Sequence, residues 1–428
     1  MRIAFSIVIW LVCISNACGQ ELARRSFFGI ECATRGDHLV VVSVAPNGTA
    51  SAAGILPEDE LLKINGESLS SPAQIPDLQR KFRAGSTVQF SIRRAQDTLT
   101  KSAIAVALPL ESDDGMETLY KTVNAEGVLY RAIITKPRDN GRHPAVLLIG
   151  GLGCYSLDPM KVNSAYAHVL LTLTHDGFAT MRIDKSGEGD SDDPSCESAA
   201  ATLDLAVKRS IAGVEALSGY DFVDSTHIFI FAHSLGPIEG ALVMGHVQVR
   251  GFITAETIGT SWLDYQLEIA RSQMLLLGQS YAEVEAFSRK NAKCLSLFYL
   301  QGLSESDVVK AEPSCKDDLP SQAGMPAAYF RDIGEVNLAN AWQHVDVPVL
   351  VTYGTSDPLT SKQQSRYLVN MINSVHPGRA TYMEVDHMSH HFDQQPDQTR
   401  ALHALDDGEN GPYDPRFVPG IEKWMRSI

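Results

Sequence analysis

Basic residues are in short supply: 36 Lys and Arg stand against 51 Asp and Glu, a net charge of −15. That balance repels a phosphate backbone or an anionic membrane surface unless the cations gather in one patch. No such patch occurs, so no nucleic-acid partner is expected. Beyond residue 20 no stretch approaches the ~20 continuous apolar residues of a membrane helix. No Cys-x-x-Cys pair is present and the histidines do not cluster with cysteines at zinc spacing, so neither a metal nor a cofactor is expected. The 32 glycines and 20 prolines are too few for a fibrous or low-complexity chain, and 44% hydrophobic against 20% charged residues suits a folded one. At roughly 100–200 residues per domain, 428 residues predict two or three domains.

The first twenty residues differ from the rest. Arg2 precedes an apolar run over 3–14, followed by small and polar residues ending Ala17-Cys18-Gly19-Gln20. This pattern predicts a signal peptide over 1–19 and an exported protein, periplasmic or secreted. A lipoprotein anchor on Cys18 is the rival reading, with Ser15 where such signals carry an aliphatic residue. Export leaves Cys32, Cys154, Cys196, Cys294 and Cys315 in an oxidising compartment, and an odd number predicts two disulfides and one spare thiol.

Residues 25–108 read as one small β-rich unit. Strands are expected over 39–44, 60–66, where the strand runs into a tight turn, and 87–92, with an amphipathic helix over 72–82 carrying Ile75, Leu78 and Phe82. The run Val44-Ala45-Pro46 … Ala52-Ala53-Gly54-Ile55-Leu56-Pro57-Glu58-Asp59 … Ile64-Asn65-Gly66 resembles a PDZ domain of exported bacterial proteases, with Glu58 in place of the usual glycine. The resemblance implies that Phe28-Gly29-Ile30 is the loop whose backbone amides hold a peptide C-terminus, the peptide adding as a strand. A module that packs on its neighbour and binds nothing is the alternative.

A polar linker over 109–115 leads into a second domain, 116–428. Short apolar runs at 128–135, 144–149, 178–183, 227–231, 249–254, 347–353 and 379–385 alternate with helical stretches, which predicts a parallel sheet covered on both faces. Ala232-His233-Ser234-Leu235-Gly236 ends one of these runs and resembles the nucleophile elbow of α/β-hydrolases, with Ala232 for the first glycine. Gly150-Gly151-Leu152-Gly153 is similar to that family's oxyanion loop, and 182–191 to its R-x-D-x-x-G-x-G-x-S turn. The implied fold is α/β, an α/β-hydrolase with a helical cap inserted at about 260–346, preceded by the PDZ domain.

In that resemblance Ser234 is the nucleophile and Asp357, just past a late strand, the acid. His387, directly after the last strand, is the base, and the Leu152 and Leu235 amides form the oxyanion hole. Asp346 and Asp386 are rival acids, and His390 and His391 rival bases. His233 reads as an elbow residue aimed sideways, and Glu256 occupies a secondary acid position. The resemblance also brings Cys154 near Cys196 and pairs Cys294 with Cys315, leaving Cys32 free. It implies a serine hydrolase acting on a small-molecule ester. A peptidase, with Glu283 or Glu285 holding a substrate amine, and a PDZ-based binding protein with an inactive hydrolase are the other readings.

Overall fold

The computed structural model describes residues 21–428 apart from 114, 162, 193 and 320–323. The expected signal segment and Cys18 lie outside the described residues.

The first sheet comprises β1 (Ile30–Arg35), β2 (His38–Val44), β3 (Glu60–Ile64), β4 (Glu67–Ser68), β5 (Thr87–Arg94) and β6 (Asp97–Ile104), in the order β1-β2-β3-β5-β6 with β4 on β3. Every pairing is antiparallel. Alternation places Val88, Phe90 and Ile92 of β5 inside, against Phe28, Val41, Leu61 and Ile64. Two helices, α1 (Thr49–Ala52) and α2 (Gln74–Arg80), accompany it, and α2 buries Ile75 and Leu78. Strand β1 is an edge of this sheet. Glu58 takes a left-handed backbone, φ 71°, which explains why a glycine suits that position.

The second sheet has eight strands: β7 (Met116–Ala125), β8 (Val128–Pro137), β9 (His143–Ile149), β10 (Ala179–Ile183), β11 (Val223–His233), β12 (Gly251–Ala255), β13 (Val349–Gly354) and β14 (Ala380–Val385). Their order is β7-β8-β10-β9-β11-β12-β13-β14; β8 pairs antiparallel with both β7 and β10, and the pairings from β10 to β14 are parallel. Strands β10, β12 and β13 are buried at every residue, because α3 (Ala165–His175) covers one face while α4 (Leu203–Ser218) and α5 (Gly236–Val243) cover the other. From β9 the chain crosses to β10 on one side, then returns to β11 on the other. The crevice between the carboxyl ends of β9 and β11 is therefore a topological switch point, where open α/β sheets bind ligands.

Between β12 and β13 lies the cap: α6 (Trp262–Leu276), α7 (Tyr281–Leu295) and shorter helices at Glu305–Ala311, Ala327–Glu335 and Leu338–Gln343. Cys294 is bonded to Cys315 within it. The Trp262 indole donates to the Tyr299 hydroxyl at 2.9 Å and stacks on Phe330, tying α6 to the rest of the cap.

The two sheets are joined by ion pairs as well as by chain. Arg24 donates to the Leu108 and Pro109 carbonyls, at 2.9 Å each, and pairs with Asp158 and Asp190. Tyr120 donates to Asp158 at 2.8 Å, and Arg131 pairs with Asp190 at 3.1 Å. The strand entering the first domain and the linker leaving it are thus fastened to loops that follow β9 and β10.

Candidate active site

The elbow begins where β11 ends. Ser234 has φ 61°, a left-handed conformation that an L-residue adopts only when its surroundings impose it. They do so here: the Ser234 amide donates to the Ala255 carbonyl at 2.8 Å, and the Thr257 hydroxyl donates to the Ser234 carbonyl at 2.8 Å. Gly236 is required two residues later, since a Cβ there would lie 2.3 Å from the Ile149 carbonyl oxygen.

The Ser234 hydroxyl oxygen lies 3.0 Å from Nε2 of His390, and Nδ1 of His390 lies 2.9 Å from Asp357 Oδ2. His390 and Asp357 are buried. Burial pushes the Asp357 carboxyl up, but the imidazole of His390, the Thr360 hydroxyl and the Leu359 amide outweigh it and hold it below the ordinary carboxylate range. Glu256 lies close by, with φ 50°, accepting from the Gly354 amide at 2.8 Å. Burial, and then the charge of Asp357, push Glu256 well above the usual range. Of this pair Asp357 carries the negative charge.

His387 is not at Ser234. After Val385 the chain turns outward: His387 has φ 60°, its amide donates to the Thr355 hydroxyl, and its exposed ring points to the Pro396 carbonyl at 2.9 Å. The tight turn over Ser389–Phe392, closed by the Phe392 amide on the Ser389 carbonyl at 3.1 Å, brings His390 inward three residues later. Adjacency to the strand end is therefore the wrong criterion here, because the loop first spends a turn beside β13. Asp386 is exposed and accepts from Thr355, while Asp346 sits beside His376 and Arg379 at the opposite end of the sheet. His391 lines the cavity, and burial, with the neighbouring His390, lowers its ring to about 4.

His233 links two loops. Its Nδ1 lies 2.9 Å from the Tyr166 hydroxyl and its Nε2 2.9 Å from the His390 carbonyl, so Nε2 carries the proton and Nδ1 accepts. Burial first, and the nearby His390, keep this ring neutral, well below its ordinary range. The Tyr166 oxygen in turn accepts from the Gly151 amide at 2.8 Å.

Gly151 passes close under Ser234; a Cβ on it would lie 3.0 Å from that of Ser234. Leu152 follows it at the cavity wall. Among the described residues the Leu152 and Leu235 amides have no protein acceptor. The cavity beside Leu152 and Ser234 has a volume of about 400 Å³ and is walled by Tyr155, Tyr166, Leu359 and His391. Cys154, two residues past Leu152, is bonded to Cys196 with Cα atoms 5.6 Å apart, and Cys32 is a free thiol. Tyr155, Tyr166 and Lys185 have no sequence signal of their own beyond the position of Lys185 in the turn at 182–191.

Neither Glu283 nor Glu285 lines the cavity at Ser234. Glu283 caps α7 through Ser280, and Glu285 pairs with Arg289 on the surface. In the first domain Gly29 has φ 67° and is packed so that a Cβ would lie 2.9 Å from Gly48 Cα. The Phe28 amide donates to the Gln79 side-chain oxygen at 2.9 Å, so it is engaged within the domain. Among the described residues no group of three or more His, Cys, Asp or Glu is placed to hold a metal ion, and no helix is long and apolar enough to cross a membrane.

Strand order, elbow and cap define the class: an α/β-hydrolase domain joined to a PDZ domain. Residues 160–395 match the family model described as serine aminopeptidase, S33, over more than half of the chain, and the chain belongs to that family. Residues 26–104 match the PDZ domain model. Over 297 residues the chain is 20% identical to Esterase EstD of Thermotoga maritima, covering 68% of this chain and 64% of that protein, so it spans just under two-thirds of that relative's length. Among solved structures, Est1E from Butyrivibrio proteoclasticus aligns with a TM-score of 0.44 and 17% identity over 72% of this chain and 99% of that one. The Pyrococcus furiosus esterase Pf2001 aligns with a TM-score of 0.43 and 15% identity, over 75% and 100% respectively.

Proposed function

We propose that this protein hydrolyses small-molecule carboxylic esters through an acyl-enzyme on Ser234. The observation that carries the reading is the continuous chain Ser234–His390–Asp357 at the switch point, beside two amides with no protein acceptor among the described residues. Ser234 Oγ attacks the ester carbonyl carbon while Nε2 of His390 takes its proton, and Asp357 holds Nδ1–H and stabilises the imidazolium. The Leu152 and Leu235 amides receive the oxyanion. As the tetrahedral intermediate collapses, the carbon–oxygen bond to the alcohol breaks and His390 returns the proton to it. Water, deprotonated by His390, then releases the acid and restores Ser234.

The test is turnover of p-nitrophenyl acetate together with labelling by a fluorophosphonate probe. Both are expected in the wild type and absent in Ser234→Ala. A folded wild type that does neither overturns the reading and leaves PDZ recognition as the function.

Peptide hydrolysis is a second reading, supported by one observation. A cavity of about 350 Å³ touches Leu152 and is walled by Trp262, Tyr299 and Phe330, with Asp317 and Asp318 at its side. Asp318 is already paired with Lys290 at 2.6 Å, so Asp317, rather than Glu283 or Glu285, would hold a substrate amine. A higher kcat/KM on aminoacyl p-nitroanilides than on p-nitrophenyl esters favours this reading.

The PDZ domain is read as a docking site for a peptide C-terminus, its carboxylate on the Gly29 and Ile30 amides and its strand along the free edge of β1. Export of the mature chain accords with two disulfides formed from its cysteines.

A further inference from the structure

The peptide that joins Gly151 to Leu152 has to face one way for the site to work. Its N–H and C=O are antiparallel across a planar trans bond, so the Leu152 amide points at the substrate only if the Gly151 carbonyl points away. Nothing intrinsic holds that orientation. Glycines precede and follow Leu152, and Gly153 has φ 115°, so rotation of this peptide is opposed by little steric resistance. Its direction must be set by hydrogen bonds to the carbonyl side.

Lys185 makes them. It lies in the turn after β10, and its Nζ donates to the Gly151 carbonyl and to the Gly153 carbonyl, at 2.6 Å each. The same ammonium stands 4.2 Å from the centre of the Tyr155 ring, so its third face meets an aromatic surface. The Tyr155 hydroxyl adds a second, longer bond to the Gly151 carbonyl, at 3.2 Å. Donors to the carbonyl of a peptide polarise it and so strengthen its amide as a donor in turn.

The rest of the turn fastens the same loop a few residues on. The Leu157 amide and the Ser156 hydroxyl donate to Asp184, and the Arg182 guanidinium donates to the Leu157 carbonyl at 3.0 Å. Those contacts secure the loop as a whole. Among the residues of the turn, Lys185 holds the two carbonyls that flank the Leu152 residue.

We propose that Lys185 is a positioning residue for the oxyanion hole: by holding the Gly151 and Gly153 carbonyls it aims the Leu152 amide at the oxyanion formed when Ser234 attacks. It touches no reacting atom and acts through the loop peptide. The inference rests on the ester-hydrolase reading. Its consequence is specific, because an amide that engages the oxyanion more strongly than the ground-state carbonyl affects the transition state and leaves substrate binding alone.

The experiment compares wild type, Lys185→Met, Lys185→Arg and Tyr155→Phe on p-nitrophenyl acetate, with the inhibition constant of an aryl trifluoromethyl ketone that forms a tetrahedral adduct with the serine. Lys185→Met is expected to lower kcat by about 10²-fold, the scale of losing or misdirecting one oxyanion donor, with KM within threefold. Affinity for the ketone falls by the same factor as kcat/KM. Lys185→Arg recovers most of the loss, and Tyr155→Phe shows the same kcat-only pattern at under tenfold. Thermal unfolding of each variant establishes that it is folded; should Lys185→Met not fold, Lys185→Gln, whose shorter side chain cannot span both carbonyls, carries the same expectation. Ser234-dependent turnover that survives loss of the ammonium, or a loss that falls on KM and spares ketone binding, overturns this inference alone. Wild-type turnover that persists in Ser234→Ala overturns the ester reading whatever Lys185 does.

Discussion

The hydroxyl of Tyr166 stands 2.9 Å from Nδ1 of His233, and through this contact the loop bearing the Leu152 amide is connected to the loop bearing His390. The connection runs from the Gly151 amide to the Tyr166 oxygen, from the Tyr166 proton to His233, and from His233 Nε2–H to the His390 carbonyl. Two halves of the site that come from different loops are thereby held in register by one chain of hydrogen bonds.

Replacing Tyr166 with Phe breaks this link while keeping the ring. The Gly151 amide and His233 Nδ1 lose their partner, and each such loss costs about 1–3 kcal/mol when water cannot substitute. Urea denaturation of Tyr166→Phe is expected to show a loss on the order of 2 kcal/mol, with kcat reduced more than KM. An unchanged midpoint together with unchanged kcat counts against the connection.

His390 and His387 are separable by activity. His390→Ala is expected to match Ser234→Ala, a loss on the order of 10⁴–10⁶ in kcat. His387→Ala, with an exposed ring, stays within about threefold of wild type. Asp357→Asn loses about 10⁴-fold, since an amide there favours the wrong imidazole tautomer. Full activity in His390→Ala refutes the assignment.

The two disulfides have similar thermodynamic weight and different catalytic weight. They close loops with separations of 42 and 21 residues, each worth on the order of 3–4 kcal/mol by chain entropy. Cys154→Ser with Cys196→Ser frees the chain two residues beyond Leu152, whereas Cys294→Ser with Cys315→Ser loosens the cap. Both pairs of substitutions are expected to lower the denaturation midpoint to a similar degree. Only the first lowers kcat on a short-chain aryl ester, by about tenfold or more, and equal kcat values in the two double variants would falsify the distinction.

Asp184 gives the stability a pH dependence. Burial above all, and the charge of Asp158, push its carboxyl up to about 7 from an ordinary value of 3.8. Between those values the folded state keeps a proton that the unfolded state releases, so the contribution is fully present below pH 3.8 and is lost as the pH rises through 7. The slope is at most about 1.4 kcal/mol per pH unit. Asp184→Asn cannot ionise, so its stability relative to wild type is expected to climb from pH 4 to pH 7 and then level off. Parallel stability curves for the two proteins across that range would show that Asp184 is already charged at acid pH.

Much of this protein is determined by local sequence. Strands β9, β11 and β13 are legible because a strand covered on both faces must be an apolar run, and the elbow is legible because its geometry demands small residues around Ser234. Asp357 is legible for a related reason: it sits at the end of a strand whose direction the sheet dictates. Strands β1, β6 and β7 escaped expectation because they are partly exposed and carry mixed residues, as Met116–Ala125 does, so neither alternation nor an apolar run marks them. What only the tertiary structure decided lies in the loops. Among His387, His390 and His391, spacing from the strand favours the first, but the left-handed turn at His387 sends it outward and the packing of Phe392 against Phe231 and Phe417 anchors the segment that brings His390 to Ser234. Lys185 and Tyr166 likewise meet the loop at 150–153 from other elements, 34 and 15 residues away along the chain from Gly151. Local pattern reports the periodic burial of a residue's own element, whereas a loop side chain gets its place from contacts distant in sequence, which one-dimensional periodicity does not contain.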